Sequence, residues 1–103
     1  LQPWGIFRGY FLSKNAMTQW FVYVLRCGDG TLYTGITTEL ERRLREHNDG
    51  VGARYTGSRR PLALAYFELA ISRSSAAKRE AQIKKMSRPR KLELIASLKA
   101  SRD

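Results

Sequence analysis

The stretch Trp20-Phe21-Val22-Tyr23-Val24-Leu25-Arg26-Cys27-Gly28-Asp29-Gly30-Thr31-Leu32-Tyr33-Thr34-Gly35-Ile36 decides the fold. β-Branched and aromatic residues fill its two arms and a glycine-flanked turn divides them, the pattern of a β-hairpin. Trp20 to Cys27 is apolar on both faces, so this strand belongs in the interior of a sheet, with Thr31 to Ile36 as its partner. Loop length then decides where the tyrosines point. A two-residue Asp29-Gly30 turn would pair Cys27 with Leu32 and send Tyr23 and Tyr33 to opposite faces. A three-residue Gly28-Asp29-Gly30 loop, with Gly30 left-handed in a G1 bulge, pairs Leu25 with Tyr33 and Tyr23 with Gly35. Both phenols then share one face, because a single-residue slip reverses every side chain. This second register is the expected one.

Downstream, Thr38 is a good N-cap and Glu41 stands three residues on, the spacing of a capping box. The helix it opens carries Leu40 and Leu44 on its buried stripe and stops at Asn48-Asp49-Gly50. Gly50 to Pro61 reads as a polar loop, Leu62 to Ala70 as a third strand and Ser74 to Met86 as a second helix. Pro89 opens a third helix that runs through Lys91 to Ala100. The expected fold class is α/β, a small three-stranded, mainly antiparallel sheet flanked by helices.

A chain of 103 residues holds one domain, placed at 17–103. Residues 1–16 read as an N-terminal extension ahead of an original start at Met17 and are assigned no function. Pro3, Gly5, Arg8 and Gly9 break the apolar run that a signal peptide would need. Net charge is the outlier, at +10 from 19 Lys and Arg against 9 Asp and Glu. Arg42, Arg43, Arg45, Arg54, Arg59 and Arg60 gather in the middle third, which favours a polyanionic partner over a merely solvated surface. No segment joins a basic face to a wide apolar one, and no apolar stretch has spanning length, so a membrane is not the expected partner. The lone Cys27 excludes an intramolecular disulfide and a multi-cysteine metal site; it fits a reducing cytoplasm and a buried strand position.

Arg43 and His47 stand at i and i+4, on one helix face beside the Leu40 and Leu44 stripe. A guanidinium there can grip a phosphate with two parallel hydrogen bonds, and an imidazole can move a proton near neutral pH. Glu80 falls at helical spacing among Ala76, Ala77, Ala81 and Ile83, the expected packing face of the second helix. A carboxylate in such a setting needs a partner. Lys84 at i+4 offers an ion pair; the alternative is a hard divalent cation completed by water and phosphate oxygens.

Taken in order, Val22-Tyr23, Tyr33-Thr34-Gly35, Arg43 with His47, and Glu80 resemble the GIY-YIG nuclease domain, over about Trp20 to Leu98. The chain looks most similar to the small stand-alone bacterial members. Phe21-Val22-Tyr23 stands where the name has Gly-Ile-Tyr, and Thr34 where it has Ile. The resemblance implies metal-dependent hydrolysis of DNA phosphodiester bonds, directed by backbone or structure, in DNA repair or processing. It implies one Mg²⁺ or Mn²⁺, no small-molecule cofactor and DNA as the partner, with RNA as the alternative partner. Tyr23 is assigned as general base with His47 assisting its deprotonation, Tyr33 as positioning water or phosphate, Arg43 as holding the scissile phosphate and Glu80 as anchoring the cation. Gly35, Arg54, Tyr55, Arg59, Arg60 and Lys84 are assigned to nucleic-acid binding, by phosphate contact and stacking. Larger members carry a further asparagine. After Glu80 this chain has none, so that role falls to Lys84 or stays unfilled. The alternative function is a non-catalytic DNA- or RNA-binding module that keeps the fold; a ribosome- or RNA-associated role has only the charge in its favour.

Overall fold

The computed structural model describes residues 18–102. The extension 1–16 and Met17 lie outside them. Strand β1 (Trp20–Arg26) is central in a three-stranded sheet, flanked by β2 (Leu32–Thr37) and β3 (Ala63–Ala70), both antiparallel to it. Helix α1 (Leu40–Asn48) follows β2, a single turn α2 (Arg54–Gly57) precedes β3, and α3 (Arg73–Lys84) and α4 (Arg88–Arg102) complete the chain. No helix among the described residues is long and apolar enough to cross a membrane.

Central placement of β1 accounts for its composition. Phe21 through Leu25 are all buried because both sheet faces are covered. One face carries Phe21, Tyr23, Leu25 and Cys27, packed with Leu40, Leu44, Leu62 and Tyr33; this Tyr face is roofed by α1 and the segment before β3. The other carries Val22 and Val24 with Tyr66, Ala76, Ile83, Leu94 and Ile95, and is roofed by α3 and α4. The hairpin adopts the three-residue register: Leu25 opposes Tyr33 and Tyr23 opposes Gly35. Gly30 has φ of 87°, the left-handed conformation that the bulge requires, and its amide donates to the Cys27 carbonyl at 2.9 Å.

Three expectations about the helices are corrected. Helix α1 begins one residue later than expected, with Glu39 at the N-cap position and no side-chain cap. The Thr37 hydroxyl instead accepts from the Glu39 amide at 3.0 Å, turning the chain at the strand end. Glu41 thereby becomes the second helical residue and cannot close a capping box. The stretch Gly50 to Pro61 is not all loop, since α2 forms where the Ala53 carbonyl accepts from the amides of Thr56 (3.2 Å) and Gly57 (3.1 Å). The packing face of α3 is narrower than expected, because Ala76 and Ile83 are buried while Ala77 and Ala81 are not. That helix starts at a capping box in which Ser72 and Ser75 satisfy each other's amides.

Candidate active site

Four elements converge on the Tyr23 hydroxyl. β1 supplies Tyr23 itself, β2 supplies Tyr33 and Gly35, α1 supplies Arg43 and His47, and α2 supplies Thr56. The Tyr23 ring extends over Gly35, where a β-carbon would fall 2.6 Å from Cζ. Only a residue without a side chain lets the phenol cross the edge strand. Beyond it the hydroxyl lies 3.0 Å from His47 Nε2. His47 Nδ1 lies 2.7 Å from Thr56 Oγ1, whose hydroxyl bonds to the Ala53 carbonyl at 3.0 Å. Gly52 packs flat on the imidazole, where a β-carbon would come within 2.8 Å of Cγ.

The site is layered. His47 and Thr56 are wholly buried and Tyr23 is 2% exposed, whereas the Arg43 side chain is 32% exposed and Tyr33 is half-buried. Solvent meets Arg43 and Tyr33 first, and the phenol–imidazole pair stands behind them. Tyr33 packs edge-on to His47 with ring centroids 5.2 Å apart. Arg43 lies beside the Tyr23 phenol and is braced by Glu46 at 2.9 Å. Burial pushes the Tyr23 phenol up to about 12; the adjacent Arg43 pulls against this, while the charges of Tyr33 and Glu80 add to it. Burial, reinforced by Arg43, pushes His47 down to about 4. At neutral pH both partners are uncharged.

Glu80 comes from the other layer, on α3. Its side chain is 23% exposed and pairs with Lys84 at 3.2 Å, the i+4 ion pair that sequence spacing offered. Its charge still reaches the Tyr23 phenol and opposes its ionisation. Among the described residues no three His, Cys, Asp or Glu side chains form a ready-made cation cage. A single, partly exposed carboxylate fits a hard cation of the kind that fills its other positions from water and phosphate. Lys84, itself 53% exposed, can swing away, as such surface pairs hold weakly.

The remaining residues assigned to nucleic acid divide. Arg54 is exposed and enters no ion pair among the described residues. Tyr55 is 39% exposed; its ring stacks on Tyr33 at 5.9 Å and carries the Arg59 guanidinium at 3.9 Å. Arg59 is further held by Asp29 at 3.2 Å and by the Tyr55 carbonyl at 2.8 Å, clipping α2 to the hairpin turn. Arg60 bonds the carbonyls of Gly57 and Asn48, away from the tyrosines. Sequence reasoning missed Thr56, which looked like one more polar loop residue. Lys85, Arg88 and Lys91, on either side of the α3–α4 turn, enter no ion pair among the described residues. A cleft of about 310 Å³ beside Arg43, lined by Trp20, Thr37, Arg42, Arg73 and Glu46 among others, continues the basic surface.

This arrangement of paired tyrosines, arginine and histidine on a three-stranded sheet belongs to a known class. The chain is a member of the GIY-YIG family: residues 19–93 match the family described as the GIY-YIG catalytic domain, a nuclease-type domain. Its relatives carry the name UPF0213. A UPF0213 protein of Syntrophus aciditrophicus is 58% identical over 85 residues, covering 82% of this chain and 92% of the relative. The solution NMR structure of an E. faecalis protein matches with a TM-score of 0.57 at 43% identity, over 82% of this chain and 90% of that one. That of a Bacillus halodurans UPF0213 protein matches with a TM-score of 0.50 at 38% identity, over 76% and 83%.

Proposed function

We propose that the chain is an endonuclease that hydrolyses DNA phosphodiester bonds with Mg²⁺ or Mn²⁺, directed by backbone and shape, in DNA repair or processing. The observation that carries this is the 3.0 Å hydrogen bond between the Tyr23 phenol and an uncharged His47, set behind Arg43.

Hydrolysis joins a water oxygen to phosphorus and expels the sugar oxygen, so the water must lose a proton. A phenol held at about 12 supplies almost no free phenolate at neutral pH. Tyr23 therefore serves as a relay: its oxygen takes the water's proton as its own passes to His47 Nε2. The incoming phosphodiester's negative charge favours the imidazolium that results. Arg43 holds non-bridging oxygens with its planar fork, where charge grows in the transition state. Tyr33, at the outer layer, orients the water or the phosphate. Glu80 would hold the divalent cation, which when bound neutralises charge on the leaving oxygen. Arg54, Lys84 and the basic surface at the α3–α4 turn bind flanking phosphates without reading bases.

The test is incubation of the protein with labelled single-stranded, duplex and branched DNA, and with RNA, in Mg²⁺, Mn²⁺ or EDTA. Cleavage that EDTA abolishes is expected. Binding without cleavage under every metal condition would replace this reading with a binding module.

A further inference from the structure

We propose that Thr56 fixes the tautomer of His47, placing the ring proton on Nδ1 and leaving Nε2 as the proton acceptor for Tyr23. The role assigned to Nε2 rests on the nuclease reading; the tautomer itself does not.

The hydrogen-bond chain Tyr23–His47–Thr56–Ala53 has a direction set at both ends. At the inner end stands a carbonyl, which can only accept. The Thr56 hydroxyl lies 3.0 Å from Ala53 O and points its hydrogen there, so it turns a lone pair toward His47 Nδ1 at 2.7 Å. That pairing is satisfied only if Nδ1 carries a hydrogen. At the outer end Arg43 lies beside the Tyr23 phenol, and a guanidinium can only donate. Were Nε2 protonated, the phenolic oxygen would face two donors and its own hydrogen would have no acceptor. Before nucleic acid and its hydrolytic water enter, Tyr23 is 2% exposed and His47 fully buried, so such a mismatch would cost about 1–3 kcal/mol. Both ends demand the same tautomer.

Backbone packing reinforces this. Gly52 lies against the imidazole so closely that a β-carbon would fall 2.5 Å from Nδ1, leaving Thr56 as the group that reaches that nitrogen. Thr56 itself is wholly buried and is held by its amide, as well as its hydroxyl, to Ala53 O. It is a positioning residue: it touches neither water nor phosphate and acts through the ring.

The chain contains one histidine, so a long-range ¹H–¹⁵N correlation spectrum reads the tautomer without overlap. The parent protein and Thr56→Ser at pH 7 should show Nδ1 protonated. Thr56→Val, which keeps the shape and removes the hydroxyl, should show the tautomers mixed or reversed. In DNA cleavage Thr56→Val should lose about a hundredfold in kcat with unchanged binding, and Thr56→Ser should recover most of it. The expected loss is smaller than for a charged orienting group, because threonine is neutral. An Nε2-protonated ring in the parent would overturn the assignment, and that spectrum decides even where Thr56→Val does not fold. So would a folded Thr56→Val with the parent tautomer. A parent that shows the Nδ1-protonated ring but cuts no nucleic acid would retire the nuclease reading and leave the tautomer assignment standing.

Discussion

The ring of Tyr23 passes over the backbone of Gly35, the residue directly opposite it in the hairpin, with no space for a β-carbon between them. The second glycine of the motif is thus a hole through which the phenol of the first strand reaches the helix beyond. Gly35→Ala should cost about 1–3 kcal/mol of stability, since the ring must tilt off its rotamer or the strand must bend. The hydroxyl would lose its place against His47, and a displacement near 1 Å lowers catalysis by roughly a hundredfold. Urea melts beside cleavage rates check both; parent values in each would show that the ring does not lie there.

Acid should weaken the fold through His47. Between pH 6.5 and about 4 the unfolded chain takes up a proton that the buried ring refuses. Stability attributable to this group is therefore constant above pH 6.5, falls as pH falls through that window, and is constant again below it. The loss amounts to about 3 kcal/mol at most. Asp29, held below the usual carboxylate range chiefly by Thr31, and Glu46, held there by Arg43, begin to lose their contributions only at the acid end of this window, as pH falls through the ordinary carboxylate values. Urea midpoints from pH 7.5 to 4 should slope downward in the parent, and His47→Gln should flatten that slope whatever its effect at neutral pH.

Glu80 separates turnover from binding. Glu80→Ala removes the carboxylate that would hold the cation and should abolish most cleavage. Stability should change by only a few tenths of a kcal/mol, as the missing ion pair is with the exposed Lys84. DNA affinity should hold or rise, since a negative charge has left a phosphate-binding surface. A folded Glu80→Ala protein that cuts at the parent rate would remove Glu80 from the site.

Salt dependence should map to the α3–α4 turn rather than to Arg59. Replacing Lys85, Arg88 and Lys91 with glutamine should reduce the slope of log affinity against log salt by about 0.9 for each phosphate no longer neutralised. Arg59→Gln should instead loosen the Asp29, Arg59, Tyr55 clip, seen as faster amide exchange in α2 with little change in slope. An unchanged slope in the triple variant would place the phosphates elsewhere.

The sheet was legible because its determinants are local. Both buried faces of β1 show as an unbroken apolar run, and one left-handed glycine in a short loop fixes the register. Arg43 and His47 were legible for the same reason, as two positions on one helical turn. What was hidden depends on the chain meeting itself. Thr56 becomes special only when the segment after α1 folds back and lays Gly52 on the imidazole; in sequence it is a polar residue between tyrosine and glycine. The sequence likewise gives no sign that Tyr55 meets Tyr33 and Arg59, which are distant or unordered neighbours until the chain folds. Glu80 looked embedded because Ala77 and Ala81 are apolar, yet neither is buried, and alanine at such positions serves helix propensity rather than packing.

The two faces of the sheet carry unequal roofs. Val22 and Val24 lie under helices of twelve and fifteen residues, while Tyr23 lies under one of nine and a single turn of four, which carry its partners His47 and Thr56. Such a lightly built cover opens first in local unfolding. On warming, the protein should fall silent before it melts: activity would fade over a range in which calorimetry and circular dichroism still record an intact sheet. Cooling would restore it without refolding. Stabilising the segment from Gly50 to Pro61 would thus extend the working temperature while leaving the melting temperature almost where it was.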